Sequence, residues 1–250
     1  MKLKEKVAVV TGGARDLGRA ISIQMAKDGA KVVINYFDNE EDAKETLAEI
    51  KKIGGEAIIV QGDMTKWADA QKLIAESVNA FGNDIHVLVN VVGGLVGRKT
   101  IEEQDEAWYD FLMDVNMKSC FLATKAVIGH MPAGASIVNF SSLAARDGGG
   151  PGASMYATAK GAVMTYTRAM AKEFGPRGIR VNALAPGTIA TSFHDRFNTP
   201  ENRERLKGVY PLRREGTAQD IANLVSFLAC DESSYLTGTN IDINGGMFFS

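Results

Sequence analysis

Short runs rich in valine and isoleucine alternate with amphipathic segments along almost the whole chain, and this rhythm limits the possible folds more than any other feature. The runs predict strands at residues 6–11, 31–36, 57–61, 85–90, 136–141, 180–185 and 240–243. The segments between them predict helices at residues 17–28, 40–53, 67–81, 108–128, 156–174 and 218–230. Strands separated by helices pair in parallel, and continuous apolar runs are buried on both faces. The pattern therefore predicts an α/β fold with one doubly wound, seven-stranded parallel sheet and helices on both faces.

The chain is expected to form one domain, from residue 1 to residue 250. Its 250 residues, of which 45% are hydrophobic, are enough to bury a substantial core. No linker rich in proline or serine, no block of like charge and no internal repeat divides the sequence.

The charge and the lengths of the apolar runs exclude several partners. The net charge of −2 and the sequence pI of about 6.0 give no general attraction to nucleic acid or to an anionic membrane surface. No apolar run approaches the roughly 18 residues that span a bilayer, and the first strand begins so early that a signal peptide is not expected. The sequence predicts a cytoplasmic protein without a nucleic-acid or membrane partner.

The cysteines and histidines predict neither a disulfide nor a metal centre. Cys120 and Cys230 each lie in an apolar helical stretch, so buried reduced thiols are expected. The three histidines, His86, His130 and His194, lack the spacing of zinc ligands.

Tyr156 and Lys160 lie four positions apart on a predicted helix, and Ser141 and Ser142 lie upstream of it. On a helix this spacing places the phenol and the ammonium group on one face. A cation beside a phenol favours the phenolate, so Lys160 is expected to lower the pKa of Tyr156. A tyrosine of this kind can exchange a proton with a carbonyl or carbinol oxygen. The segment suits acid/base chemistry, although a tyrosine and a lysine four residues apart also occur on many solvated helices.

A glycine-rich turn at residues 11–18 joins the first strand to the first helix. Backbone amides and the positive helix end can hold a dinucleotide pyrophosphate there, although a tight turn without a ligand would use the same glycines. In doubly wound sheets, ligands bind beyond the carboxyl ends of the strands. Further polar or glycine-rich clusters follow strands at Asp63 and at residues 90–97, 141–154 and 186–191. We expect these clusters to converge on one site.

Six motifs occur in a fixed order along the chain. They are Thr-Gly-x-x-x-x-Leu-Gly from Thr11, Asn-x-x-Gly from Asn90, the single Asn116, Ser142, Tyr-x-x-x-Lys from Tyr156 and Pro-Gly from Pro186. Together with a closing Asn-Gly-Gly they resemble the classical short-chain dehydrogenase/reductase family over nearly the whole chain. The resemblance implies a Rossmann fold and an NAD(P)-dependent oxidoreductase acting on CH–OH or carbonyl groups. It also implies a homotetramer that packs through two of its helices and its last strand.

The resemblance also implies roles for single residues. Tyr156 is the expected acid/base, Lys160 holds the nicotinamide ribose, Ser142 orients the substrate oxygen and Asn116 supports a proton relay. The residues expected to bind the cofactor are Gly12, Arg15, Asp16, Leu17, Gly18, Asn35, Tyr36, Asp63, Met64, Asn90, Val91, Gly93, Tyr156, Lys160, Pro186, Gly187, Ile189 and Thr191. An N-cap near Thr65 explains Asp63 equally well, and ordinary hydrogen bonding is the alternative for Asn116 and Ser142.

Three positions depart from the family pattern. Asp16 replaces a usual glycine, and either caps the first helix or bonds to Arg15 or to loop amides. The usual Asn-Asn-Ala-Gly is Asn-Val-Val-Gly at residues 90–93, which removes a side-chain amide near the cofactor. The interval from Ser142 to Tyr156 is 14 residues, one more than expected, and the extra residue is placed in the loop 146–152.

The end of the second strand predicts which nicotinamide cofactor is preferred. An acidic residue there would bond the adenosine ribose hydroxyls and repel a 2′-phosphate, whereas this chain has Asn35 and Tyr36. Arg15 is a potential partner for the phosphate. NADP(H) is therefore favoured over NAD(H), a preference that Asp16 and Asp38 moderate.

The loops expected around the substrate are polar and rich in cations. The predicted substrate residues are Arg98, Arg146, Asp147, His194 and Arg196, the last two in a segment at about 192–210 that is predicted to be a mobile lid. Guanidinium groups suit a carboxylate or phosphate, whereas a steroid or long acyl chain would need large apolar side chains. We expect a small-molecule carbonyl substrate of the oxo-sugar acid class, such as a keto-deoxy-uronate. Solvated surface or subunit contacts would explain the same arginines.

Two other functions also fit the sequence. The first is a 3-oxoacyl-[acyl-carrier-protein] reductase, because residues 33–63 resemble that branch of the family and basic residues suit an acidic carrier protein. The second is a catalytically silent dinucleotide-binding protein, although the presence of Ser142, Tyr156 and Lys160 argues against it.

Overall fold

The computed structural model describes residues 1–191, 204–205 and 208–249. Within these residues seven strands form one sheet: β1 (Val7–Thr11), β2 (Lys31–Tyr36), β3 (Ala57–Gln61), β4 (Val87–Asn90), β5 (Ser136–Phe140), β6 (Arg180–Pro186) and β7 (Asn240–Ile243). All neighbouring strands are parallel, in the order β3-β2-β1-β4-β5-β6-β7. The chain direction across the sheet reverses between β1 and β4, so the predicted doubly wound sheet is confirmed.

Helices cover both faces of the sheet. They are α1 (Asp16–Lys27), α2 (Glu40–Lys52), α3 (Trp67–Phe81), α4 (Glu106–Met113), α5 (Ser119–Val127), α6 (Ala144–Asp147), α7 (Ser154–Phe174) and α8 (Ala218–Ala229). The helices α1, α2 and α8 pack on one face, and α3, α5 and α7 pack on the other. This arrangement is the doubly wound fold that the alternating pattern predicted, and it is the Rossmann fold that the family resemblance implied.

Successive residues of each strand enter two different cores. On β1, Ala8 and Val10 pack against the α1 face, whereas Val7 and Val9 pack against the α3 face. This alternation follows from the pleat, since successive side chains point to opposite sides of a sheet. Full burial of a valine or isoleucine stabilises a fold by about 1.5–3 kcal/mol, so apolar runs with no polar face form the strands.

The helix predicted over residues 108–128 is interrupted. A π-helical turn at Asp114–Lys118 separates α4 from α5. The side-chain amide of Asn116 donates to the Leu112 carbonyl at 3.0 Å, which is the carbonyl that an α-helix would offer to the backbone amide of residue 116. The turn therefore shifts to i→i−5 bonds, as when the Ser119 amide bonds to the Asp114 carbonyl.

The described part of the chain also shows the state of both cysteines and the apolar character of the helices. Cys120 and Cys230 are both buried free thiols, as expected. Among the helices in the described part of the chain, none combines the length and the apolar character needed to cross a bilayer.

Candidate active site

The loops at the carboxyl edge of the sheet enclose a cavity of about 1090 Å³. The clusters predicted from the sequence meet there, with lining residues drawn from 12–18, 35–42, 62–66, 91–98, 140–150 and 186–191. Pockets for drug-sized molecules usually measure about 300–1,000 Å³. The cavity is therefore large enough for a dinucleotide together with a small substrate.

The turn between β1 and α1 closes one end of the cavity and is tightly packed. A Cβ atom on Gly18 would collide with the Gly12 carbonyl oxygen, so only glycine fits. The Gly12 amide donates to Asn35 Oδ1 at 3.0 Å, and the Gly13 amide donates to the Asn35 carbonyl at 2.9 Å. A compact glycine turn at a helix N-terminus is the geometry that a pyrophosphate requires.

Asp16 borders this end of the cavity in an unusual conformation. Its φ of 49° lies in the left-handed region, which explains why a glycine would fit the position well. The helix α1 begins at Asp16 itself, and Arg15 is the N-cap residue, without a side-chain cap bond. Of the sequence-based alternatives, an N-cap at Asp16 is therefore excluded.

Asn35 supports the glycine turn from below. Its side chain is 1% exposed, accepts from the Gly12 amide and donates to the Gly62 carbonyl at 3.0 Å. The side-chain amide is thus occupied within the protein, while Asn35 still lines the cavity, and its predicted contact with the cofactor stays a prediction. The cavity rim at this end is formed by the residues that follow, Tyr36, Phe37 and Asp38.

Two other predicted cofactor residues have structural partners. Asp63 Oδ1 accepts from the Thr65 amide at 2.8 Å and from the Thr65 hydroxyl at 2.7 Å, and Asp63 lines the cavity beside Met64. The amide of Asn90 donates to Asn139 Oδ1 at 2.9 Å beneath the cavity wall. Asn90 therefore holds β4 against β5, which corrects its predicted contact with the cofactor.

Ser142, Tyr156 and Lys160 come together at the floor of the cavity. Tyr156 and Ser142 both line the cavity, where the Ser142 hydroxyl is close enough to the phenol to lower its pKa, and α7 presents Lys160 one turn after Tyr156. Lys160 Nζ donates to the Phe140 carbonyl at 2.9 Å and lies 6.0 Å from the centre of the Tyr156 ring. The arrangement places a phenol, a hydroxyl and an ammonium group around one small volume.

Asn116 and Gly93 form the wall beside this group. Asn116 Oδ1 accepts from the Gly94 amide at 2.8 Å, and its amide donates to the Gly94 carbonyl at 3.0 Å. Gly93 has a φ of 148°, and a Cβ there would lie 2.7 Å from both Asn116 Oδ1 and Lys160 Nζ. The glycine of the Asn-Val-Val-Gly motif therefore gives the Lys160 ammonium its space.

Burial controls the ionisation of Tyr156 and Lys160. Loss of water lowers the pKa of Lys160 to about 8 and raises the pKa of Tyr156, although the Ser142 hydroxyl opposes the second effect. The sequence predicted a lowered pKa for Tyr156, but the net shift is upward, because desolvation of the phenolate outweighs the effect of the Ser142 hydroxyl. The phenol therefore keeps its proton at neutral pH.

Arg98 and Asp147 border the side of the cavity nearest to Tyr156, as predicted. The Arg98 guanidinium donates to the Pro151 carbonyl at 2.9 Å, and Asp147 accepts from the Gly149 amide at 2.8 Å. The first bond fastens the loop after β4 to the loop after β5, and the second lies within the loop after β5. Both side chains are exposed at the rim, and a guanidinium has donors left for a ligand.

Arg146 points away from the cavity, which corrects its predicted contact with substrate. Its Nε donates to Asp242 Oδ1 at 3.2 Å, and the guanidinium donates to the Asn240 carbonyl at 2.9 Å. The two charged side chains are only 15% and 12% exposed. Arg146 therefore connects the short helix α6 to strand β7, and the direction it takes depends on the register of α6.

Apolar residues that the sequence did not single out also line the substrate side. They are Leu95, Phe111, Leu143, Ala153, Tyr210 and Met247. Leu95 and Leu143 lie in loops that were already marked as functional, whereas Phe111 belongs to an ordinary amphipathic helix and carried no signal. The predicted cation-rich wall is therefore only partly present, and the predicted residues His194 and Arg196 lie outside the described residues.

The chain after β6 closes the cavity from the remaining side. Pro186, Gly187, Ile189 and Thr191 line it, as predicted, and the Ala190 amide donates to the Gly216 carbonyl at 2.8 Å. Groups of three or more histidine, cysteine, aspartate or glutamate side chains that could hold a metal are absent from the described residues.

Known proteins resemble this chain along nearly its full length. A family model described as enoyl-(acyl carrier protein) reductase matches residues 12–248. An uncharacterized oxidoreductase of Methylorubrum extorquens is 38% identical, and the alignment covers 98% of this chain and 99% of that protein. A 3-oxoacyl-[acyl-carrier-protein] reductase of Staphylococcus epidermidis is 35% identical, and the alignment covers 97% of this chain and 99% of that protein. The structure of a short-chain dehydrogenase of Burkholderia cenocepacia in complex with NADP has 31% identity and a TM-score of 0.92, with 99% of both chains covered.

Proposed function

The chain belongs to the short-chain dehydrogenase/reductase family of NAD(P)-dependent oxidoreductases, and on this premise we propose that it reduces a small ketone or aldehyde with Tyr156 as the proton donor. The observation that carries the proposal is the Ser142–Tyr156–Lys160 group at the floor of a cavity whose other end is a glycine turn. A reduced dinucleotide bound there supplies the hydride.

Side chains of the protein then stabilise the negative charge that develops on the substrate oxygen. The Ser142 hydroxyl and the Tyr156 phenol hold that oxygen, and Tyr156 donates its proton as negative charge forms. Lys160, as an ammonium, stabilises the resulting phenolate. Asn116 fixes the Gly94 backbone and so maintains the wall beside Lys160.

The protonated form of Tyr156 is the form that reduction of a carbonyl group requires. Burial raises the pKa of Tyr156, so the phenol is protonated at neutral pH and ready to donate. Oxidation of an alcohol would need the phenolate as a base, which becomes abundant only at higher pH.

We propose NADP(H) as the preferred cofactor. The exposed Arg15 guanidinium borders the adenosine end of the cavity, where a 2′-phosphate would need a cation. Titration with NADPH and NADH by isothermal calorimetry tests this preference. Arg15→Gln should weaken NADPH binding about tenfold and leave NADH binding almost unchanged. Equal losses for both cofactors would contradict it.

For the substrate we propose an oxo-sugar acid, such as a keto-deoxy-uronate. Support comes from Arg98, whose exposed guanidinium borders the substrate side and can bond a carboxylate. Arg98→Gln should raise KM for the oxo acid about tenfold and leave KM for a neutral ketone unchanged. Arg168→Gln, an exposed arginine on α7, is the matched control.

A 3-oxoacyl thioester carried by an acyl carrier protein is the second candidate. The apolar side chains of Leu95, Phe111, Leu143 and Met247 on the substrate side favour it, because an acyl chain needs such surface. A curated relative of this activity is also 35% identical to the chain.

One experiment separates the two substrates. Oxidation of NADPH is followed with matched oxo-sugar acids, neutral ketones, free acyl thioesters and carrier-linked acyl thioesters. Rapid turnover of the oxo acid alone supports the first proposal. Turnover of the carrier-linked thioester alone replaces it with the second, and failure of every carbonyl compound to react contradicts both.

We also propose that the protein is a homotetramer. The outer faces of α3, α4, α5 and α7 expose a cluster of aromatic residues, in which Phe121 packs edge-on against Tyr166 at 6.4 Å and Lys125 lies over Trp67 at 5.0 Å. An exposed aromatic patch of this kind suits burial against a second copy. Phe121→Glu should dissociate the assembly in light scattering, whereas Tyr235→Glu, at a fully exposed tyrosine elsewhere, should not.

A further inference from the structure

Asp16 keeps a carboxylate where an uncharged glycine would be conformationally easier. It is the first residue of α1, is half-buried and borders the cavity between Arg15 and Leu17. Its φ of 49° is left-handed, and aspartate and asparagine tolerate that region best among residues other than glycine. The turn has no room to relax, because Gly18 packs directly against the Gly12 carbonyl.

The charge of Asp16 opposes the electrostatics of the turn. The N-terminus of α1 carries a partial positive charge that attracts phosphate groups. A carboxylate in the first turn of the helix offsets this attraction where a pyrophosphate is expected to bind. In the described part of the chain, the lining of this end of the cavity holds Asp16, Asp38, Asp42 and Asp63 against Arg15 and Lys66, and Asp42 is paired with Arg19 at 3.5 Å.

We propose that Asp16 sets the residence time of the cofactor: its negative charge weakens the binding of ligands that place a pyrophosphate at the glycine turn, and so speeds their release. The proposal rests on the proposed function, since it requires a dinucleotide in this cavity. One like charge within several ångström changes a binding constant about tenfold in a surface environment. Faster release raises kcat wherever loss of the spent cofactor limits turnover.

Two substitutions separate charge from backbone strain. Asp16→Asn removes the charge but keeps the shape and the tolerance of left-handed backbone, whereas Asp16→Gly removes the charge and the strain together. Binding of NADPH, NADP⁺ and adenosine 2′-monophosphate, which lacks a pyrophosphate, is measured by calorimetry at low and high salt. Stopped-flow displacement of bound NADPH gives the dissociation rates.

Both variants should bind NADPH about tenfold more tightly than the wild type and release it correspondingly more slowly. The gain should shrink at high salt, because salt screens the repulsion, and it should be smaller for adenosine 2′-monophosphate, whose one phosphate group meets Arg15 and not the glycine turn. An Asn variant with the wild-type affinity overturns the proposal, and a gain in the Gly variant alone assigns the effect to the backbone. An equal gain for adenosine 2′-monophosphate also overturns it, because that ligand has no pyrophosphate.

The same titrations distinguish failure of this inference from failure of the proposed function. Wild-type protein that binds NADPH with the same affinity as both variants disproves only the role of Asp16. Wild-type protein that binds neither NADPH nor NADH overturns the proposed function, and the inference with it.

Discussion

Lys160→Met should make the unfolding free energy of the protein less dependent on pH. Lys160 is 4% exposed, and burial lowers its pKa from 10.5 to about 8. Between these two values the unfolded chain binds more protons than the native protein, so the native state gains stability as pH rises. The shift corresponds to about 3 kcal/mol of penalty at neutral pH.

The size of the effect follows from this shift. From about pH 7 to pH 10, the wild type should gain about 2.5 kcal/mol relative to Lys160→Met, because methionine has a similar shape and no charge. Loss of the bond from Nζ to the Phe140 carbonyl adds an offset of about 1 kcal/mol that does not change with pH.

Urea unfolding followed by circular dichroism, at fixed protein concentration and several pH values, measures the difference. Lys172→Met, on the exposed face of the same helix, controls for the loss of a lysine as such. The reasoning is refuted if Lys160→Met and Lys172→Met differ from the wild type by the same amount at every pH.

Three further substitutions test the geometry of the site. Gly93→Ala should lower kcat by at least about tenfold, because the added Cβ would force Lys160 Nζ from its place. A kcat near the wild-type value in steady-state assays would show that Gly93 is not needed to make space for Lys160. Arg146→Ala should destabilise the protein by about 3 kcal/mol in urea unfolding, because it leaves Asp242 buried without its cation, and should leave KM unchanged. A marked rise in KM with unchanged stability would restore Arg146 to the substrate site. Val96→Gly should stabilise the protein by about 1 kcal/mol, because a β-branched residue with a φ of 62° is strained. A Tm below that of the wild type would argue against strain at this position.

Periodicity was sufficient to predict most of the fold. Strands β2 and β3 and helix α3 begin and end where the sequence pattern placed them, because apolar runs there are bounded by glycine or polar residues. The break between α4 and α5 was missed. It depends on the Asn116 amide reaching the Leu112 carbonyl, and the hydrophobic pattern on either side is that of one helix.

Site residues that belong to motifs directly after strands could be predicted from the sequence. Residues whose contact with the cavity depends on the direction of one side chain could not. Ser142, Tyr156 and Lys160 meet because the end of β5 and the start of α7 lie at the same edge of the sheet. Arg146 and Asp147 are neighbours in sequence, yet one bonds to β7 and the other borders the cavity. Neither spacing nor composition separates them, since the register of a four-residue helix determines which way each side chain points.

The direction of the pKa shift of Tyr156 also could not be predicted from the sequence. The proximity of Lys160 was predictable from the spacing of the two residues, but the extent of burial was not. Desolvation depends on the whole surrounding structure, and here it determines the net direction of the shift.

The most direct test of the account compares the wild type with Tyr156→Phe in two assays: binding of NADPH by calorimetry, and oxidation of NADPH with the best carbonyl substrate of the panel. We predict that the Phe variant binds NADPH within about twofold of the wild type and loses at least about 10³-fold in kcat, because only the proton donor is removed. A Phe variant that retains full turnover would contradict the assignment of Tyr156 and with it the proposed mechanism.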